Sequence, residues 1–229
     1  IMSVSVFLPC RKGSERVPKK NIKPFAGIEY GLVELKLRQL LICDAVDEVV
    51  LSTNDEEILN FAAGITHNKL RVHKRVDTLC TGTTSTDELV AHALDLIPTG
   101  HILWTHVTSP FINAQVYQEI IEQYFKALNS GYDSLMTTTL IHGFLWNEQA
   151  PINYDRRKEK WPRTQTIAPV HEINSGVFLN STENYRQLDD RIGNKPFLYS
   201  MNKITAHDID WHEDFVIAEA IAKNGLASL

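Results

Sequence analysis

The chain lacks the marks of a secreted or membrane-embedded protein. Its 229 residues include three cysteines, Cys10, Cys43 and Cys80, odd in number and without metal-type spacing. They read as reduced thiols of a cytoplasmic protein, not as a disulfide framework. No apolar run approaches the roughly 20 residues that span a bilayer, so no membrane partner is expected. The first apolar run is short, alternates with serine and has no cleavage site, so a secretion signal is not expected either. Ile1, ahead of Met2, is left out of the reading. Neither G-x-x-x-x-G-K-[ST] nor G-x-G-x-x-G occurs, which excludes a Walker A loop and a dinucleotide fingerprint. Positive charge is the minority: 23 Lys and Arg stand against 28 Asp and Glu. A general nucleic-acid binder would spread basic residues along a face, so no nucleic-acid partner is expected.

The positive charge that is present gathers in one place. After a strand-like run, Val4 to Leu8, come Arg11, Lys12, Arg16, Lys19, Lys20 and Lys23, opposed only by Glu15. So many cations in a short segment repel one another, which is tolerable if an anion usually sits among them. Gly13 and Ser14 permit a tight turn with exposed backbone N–H groups, and Pro18 and Pro24 stiffen the rest of the loop. Such a turn after a strand makes a nest for phosphates.

Further along, strand-like and helix-like segments alternate. Helical patterns cover 31–43, a segment from the Asn54-Asp55 cap to Ala63, one from Ser85 or Thr86 to Leu96, one from Asn113 to Leu128, and 211–224. Strand patterns cover 48–53, 70–73, 101–107, 135–140, 174–179 and 197–201. Between Ile141 and Ala168 the pattern breaks into a Trp-, Pro- and charge-rich excursion. The alternation predicts one α/β domain over 2–229, with a mostly parallel sheet covered on both faces. Right-handed crossovers then place the first loop, the Thr108-Ser109-Pro110 turn and the segment after Met201 at the carboxyl edge of the sheet.

Two more stretches carry chemistry. In Asp208-Ile209-Asp210, an extended backbone aims both carboxylates one way and Ile209 the other. Taken alone the acids fit a helix entry capped by Asp210; beside a phosphate loop they fit Mg2+, which takes one or two carboxylates and completes its shell with water and phosphate. Between Arg75 and Thr86 lie five threonines and a serine, Thr84 and Thr86 among them, hydroxyls able to bond a base edge or a ribose.

The run Arg-Lys-Gly-Ser-x-Arg-x-Pro-x-Lys-Asn, from Arg11 to Asn21, resembles the signature of the acylneuraminate cytidylyltransferases. The likeness implies a Rossmann-like nucleotidyltransferase with 141–168 used in dimerisation and in closing the acceptor site, and hence a homodimer. It implies transfer from CTP to a nonulosonic, sialic acid-like sugar acid, giving a CMP-sugar and pyrophosphate. Arg11 and Lys20 would neutralise the triphosphate, with Ser14, Arg16 and Asn21 orienting it and Asp208 and Asp210 holding Mg2+. Arg75, Thr84 and Thr86 fall in the stretch similar to the cytosine-recognition motif, where Val76 replaces a proline and Gly82 an acid. Trp104 to Pro110 resembles L-Q-P-T-S-P, which places His106, Thr108 and Ser109 at the acceptor, His106 where a sugar-contacting glutamine is common. Pro162-Arg163-Thr164-Gln165 resembles a P-R-x-Q that closes over the sugar. Ile173 stands where relatives have a sugar-holding arginine, leaving Arg163 to supply a cation instead. Other readings stay open: a different nucleotide or sugar acid, or a non-catalytic nucleotide-sugar sensor, against which Lys20, Asp208 and Asp210 argue.

Overall fold

The computed structural model describes residues 2–13 and 16–229. Seven strands form one sheet: β1 (Val4–Cys10), β2 (Glu48–Thr53), β3 (Leu70–Lys74), β4 (His101–Thr105), β5 (Ser134–Ile141), β6 (Val170–Ser181) and β7 (Pro196–Met201). Their order across the sheet is β3-β2-β1-β4-β6-β5-β7, and every neighbouring pair is parallel except those made by β6. The helices are α1 (Gly31–Leu41), α2 (Glu56–Ala63), α3 (Thr86–Leu96), α4 (Ala114–Leu128), α5 (Thr182–Leu188) and α6 (His212–Lys223). The chain runs outward from β1 through β2 to β3, then returns to start again at β4 beside β1. That reversal opens a crevice at the carboxyl ends of β1 and β4, the usual ligand position in an open α/β sheet.

Alternation along the strands builds the two cores. Val4, Val6 and Leu8 of β1, Val49 and Leu51 of β2, Leu103 of β4 and Val177 and Leu179 of β6 pack on one face, under α1, α2, α4 and α6. Phe7, Val50, Ile102, Trp104 and Phe178 point the other way and pack with Val90 and Ala93 of α3 and Tyr185 of α5. The sheet is therefore covered on both faces, as the alternation of elements predicted.

The helix starts are set by side chains that take orphan backbone N–H groups. Asp55 accepts from Glu57 N at 2.9 Å and Asn113 from Val116 N at 3.0 Å. At α3 the cap is Ser85 rather than Thr86, in a capping box with Glu88: Ser85 Oγ accepts from Glu88 N at 3.1 Å, and Glu88 Oε2 from Ser85 N at 3.0 Å. Two elements differ from the sequence reading. Helix α5 was not foreseen; it is one short turn-rich segment capped by Ser181, too brief to show a period. Strand β6 begins at Val170, earlier than expected, because no residue of its first half is fully buried and it has no apolar alternation to betray it.

One contact fixes the basic loop against the sheet. Val17 and Phe25 are fully buried, Asn21 O accepts from Val33 N at 2.9 Å, and Gly31 sits with φ +61° where an added Cβ would lie 1.9 Å from Lys23 O. The loop thus lies directly on the amino end of α1, as only a residue without a side chain permits. Gly31→Ala should therefore cost at least ~2 kcal/mol of unfolding free energy, from left-handed strain plus the clash. Urea denaturation measures it, and a loss below ~0.5 kcal/mol would mean that the close approach does not exist.

Candidate functional site

The carboxyl edge holds a cleft of about 840 Å³. Arg11, Arg16, Lys20 and Asn21 line it from the basic loop, Gly82, Thr83 and Thr86 from the entry to α3, His106 and Thr108 from the end of β4, and Asp208 and Asp210 from the segment before α6. The two ends of the sequence meet here. Lys20 feels both Asp210 and Asp208, whose fields favour its charged form, yet burial and the neighbouring Arg16 and Arg11 leave its pKa below the ordinary lysine value. Two of the remaining loop cations are engaged elsewhere: Lys19 pairs with Glu57 at 3.2 Å, and Lys23 lies 4.4 Å over the Phe215 ring. Arg16 stacks 4.8 Å from the Trp211 ring, joining the loop to the start of α6.

The acid pair is positioned by the sheet. Ile209 is fully buried and its N–H donates to Thr108 O at 2.9 Å, so the flanking carboxylates turn outward together. The Thr108 hydroxyl bonds Asp208, while burial and the adjoining Asp210 raise the Asp208 pKa well above the carboxylate range. Asp210 does not cap the helix. Asp214 does, its Oδ2 accepting from Asp210 N at 3.1 Å and Trp211 N at 2.8 Å, which leaves the Asp210 side chain in the cleft. Two hard oxygen donors that repel each other suit a divalent cation such as Mg2+. Among the described residues no group of three or more His, Cys, Asp or Glu could hold a metal, so such an ion would complete its shell from water and phosphate.

The Thr108-Ser109-Pro110 turn is held from behind. Lys36 of α1, completely buried, donates to Ser109 O at 2.8 Å and Ile112 O at 3.0 Å, and Gln39 donates to Pro110 O at 2.9 Å. Burial without a carboxylate partner pushes the Lys36 pKa well down. Ser109 is thereby a buried element of the scaffold, outside the cleft lining.

His106 is locked by its neighbours. Trp104 Nε1 donates to His106 Nε2 at 3.2 Å, so that nitrogen must accept, and Nδ1 donates to Ser175 O at 3.2 Å. Both polar atoms are used, and the ring is the neutral Nδ1–H tautomer. Burial and Arg191 push its pKa down to about 4. Ser175 reaches it from a bulge in β6, where pairing jumps from Met136↔Phe178 to Thr138↔Ile173. Asn174 pins the bulge, its Oδ1 accepting from Thr137 Oγ1 at 2.7 Å and Gly176 N at 3.1 Å. The Asn-Ser-Gly sequence inside a strand pattern was the available signal for it.

Other sequence candidates lie off the cleft wall. Arg75 is buried, its Nε donating to Cys80 Sγ at 2.9 Å. The Thr84 hydroxyl is spent on Thr81 and the Thr78 carbonyl. Arg163 and Gln165 are exposed in the excursion and do not line the cleft. Ser14 falls outside the described residues. In their place the cleft has Thr83, Ser175 and Arg191, the last from a polar stretch with no sequence signal.

A basic cleft of nucleotide size facing an acid pair, at the switch point of a mostly parallel sheet, is the arrangement of a nucleotide-handling α/β enzyme. A family model described as "Cytidylyltransferase" matches residues 5–218, and the chain belongs to that family of nucleotidyltransferases. It is 23% identical over 225 residues to a pseudaminic acid cytidylyltransferase of Campylobacter jejuni, with 94% of each chain covered. It is 26% identical over 223 residues to N-acylneuraminate cytidylyltransferase A of Danio rerio, covering 94% of this chain but 50% of that longer one. Among solved structures, a CMP:2-keto-3-deoxy-manno-octonic acid synthetase complexed with CTP superposes with a TM-score of 0.65 at 16% identity, over 97% of this chain and 99% of that one. A 4-diphosphocytidyl-2C-methyl-D-erythritol synthase of Anaerococcus prevotii gives 0.67 at 14% identity, over 96% of each. These two share the fold. Among the described residues no helix is long and apolar enough to cross a membrane.

The locked imidazole has a measurable consequence. Unfolded His106 titrates near 6.5 and the folded ring near 4, so between those values the unfolded chain holds a proton that the native chain lacks. Stability therefore falls as pH drops from 6.5 towards 4, and the effect is absent above 6.5. Its slope is at most ~1.4 kcal/mol per pH unit. His106→Gln should flatten that part of the fall in urea midpoint; equal slopes in the two proteins would show that the ring protonates in place.

Proposed function

We propose that the protein is a Mg2+-dependent cytidylyltransferase that activates a nonulosonic sugar acid with CTP, giving a CMP-sugar and pyrophosphate. The observation that carries the reading is the meeting of Arg11, Arg16 and Lys20 with Asp208 and Asp210 in one cleft. The names of the relatives support the base and the acceptor class. In the reaction the acceptor hydroxyl oxygen forms a bond to the α-phosphorus as the bond to pyrophosphate breaks. The protein supplies position and charge, not a covalent nucleophile. Arg11, Arg16 and Lys20 neutralise phosphate oxygens, Asn21 orients the loop by donating to Arg11 O at 3.3 Å, and Thr83 and Thr86 offer hydroxyls to the nucleoside. Asp208 and Asp210 would hold the ion; the chemistry a bound Mg2+ brings there is neutralisation of phosphate charge and a lowered pKa of the acceptor hydroxyl.

The excursion supports a homodimer reading, since Trp146, Ile152 and Trp161 in it are exposed. Arg163 and Gln165, exposed and outside the lining of their own cleft, would then serve acceptor-site closure in a neighbour. Sedimentation of the purified protein checks this, and a monomer at micromolar concentration removes it. Three buried free thiols favour a reducing, cytoplasmic setting, which cell fractionation tests.

Pyrophosphate release tests the central reading, with CTP, ATP, GTP and UTP each paired with N-acetylneuraminate, pseudaminate and 2-keto-3-deoxy-manno-octonate. The expected result is turnover with CTP and at least one acid, abolished by chelation of Mg2+. CTP binding without release for any acceptor would favour a sensor. Lys20→Ala and Asp210→Asn should each fold and lose at least ~10²-fold in kcat. Near-wild-type turnover in either removes that residue from the mechanism.

A further inference from the structure

Arg191 is the one cation of the cleft that comes from neither the basic loop nor the sequence motifs. It follows α5, where Asp189 ends the helix in a left-handed conformation with φ +53°. The chain beyond it is pinned: Asn194 N and Lys195 N donate to the Asp133 carboxylate at 2.7 and 2.9 Å, and Gly193 N to Ser134 Oγ at 3.1 Å. The guanidinium lies 3.9 Å over the Phe178 ring and 4.7 Å from that of Trp104, two side chains buried in the core. It thus rests on an aromatic platform and lines the cleft.

No oxygen among the described residues accepts a hydrogen bond from it. Among the described residues, Asp190, its neighbour in sequence, is the only carboxylate acting on it, through space, and the Asp190 Oδ1 takes Ile192 N at 3.2 Å. A half-buried guanidinium with unused donors bears a desolvation cost that an anion would relieve. Trp104, one of the two rings beneath Arg191, donates through Nε1 to His106 Nε2 at 3.2 Å, and His106 Nδ1 donates to Ser175 O, which places Arg191 on the His106 and Ser175 side of the cleft. The triphosphate has its own cations on the basic loop. A planar donor fork matches a carboxylate through two parallel bonds. Ile173, exposed on β6, carries no charge, and Arg163 does not line the cleft of its own chain.

We propose that Arg191 binds the carboxylate of the acceptor sugar acid and so determines the enzyme's preference for acids over neutral sugars. The assignment rests on the sugar-acid cytidylyltransferase reading. The test is steady-state pyrophosphate release by wild type, Arg191→Gln and Arg191→Lys, with whichever acid among N-acetylneuraminate, pseudaminate and 2-keto-3-deoxy-manno-octonate is turned over, and with its methyl ester. Loss of a partly buried charge pair should raise the acceptor KM of Arg191→Gln by ~30-fold or more. The CTP KM should stay within about two-fold, and Arg191→Lys, with one charge but no fork, should fall between. Wild type should disfavour the ester, and Arg191→Gln should not. An unchanged acceptor KM, an equal rise in the CTP KM, or undiminished discrimination against the ester in Arg191→Gln overturns the assignment while leaving the transferase intact. Should both variants fail to fold, wild-type indifference to the ester overturns it alone. If wild type turns over no sugar acid, the underlying reading has failed and this one falls with it.

Discussion

Opposite charge drawn from the two ends of the chain holds the site together. Lys20 stands between two arginines that repel it and two aspartates that attract it, all in one cleft. Neither half is comfortable alone: the arginines crowd Lys20, and Asp210 raises the pKa of Asp208. Charges that remain uncompensated in the free protein are a reservoir of binding energy for a ligand carrying both signs, and a metal–triphosphate is such a ligand. The fold supplies the rigidity this requires. Val17 and Phe25 sink the basic loop into the core, and Thr108 ties the acid segment to the end of β4.

Much of this was legible in the sequence because it rests on local rules. Period-two and helical patterns marked most strands and helices, and the caps Asp55, Ser85 and Asn113 stand where short polar side chains precede apolar periodicity. The cation cluster and the spaced acid pair announced themselves by type and spacing. The parts that remained hidden depend on long-range packing. Arg75 looked free to meet a base but is buried against Cys80, and the Thr84 hydroxyl is consumed inside its own turn. His106 kept its place in the cleft, yet its nitrogens go to Trp104 and Ser175, partners that a linear pattern cannot assign.

The side of the cleft proposed for the acceptor was the least readable part, and the reason is physical. The side proposed for the nucleotide is one continuous loop plus one short motif. The other side is assembled from the end of β4, a bulge in β6 and a turn after α5, segments with no shared periodicity. Arg191 sits beside acidic neighbours in a stretch that reads as ordinary surface, and only the platform of Trp104 and Phe178 gives it a direction.

The tether between Thr108 and Asp208-Ile209 has a consequence for how the molecule comes into being. Strand β6, which comes after β5 in the chain, lies between β4 and β5 in the sheet, so the neighbourhood of β4 is finished late in synthesis. The carboxylates arrive later still, just ahead of α6. A ribosome must have released the chain as far as α6 before these groups face one another, and a shorter nascent chain carries the basic loop without the acids that it meets in the fold. Under the proposed mechanism, turnover therefore awaits the segment that precedes α6.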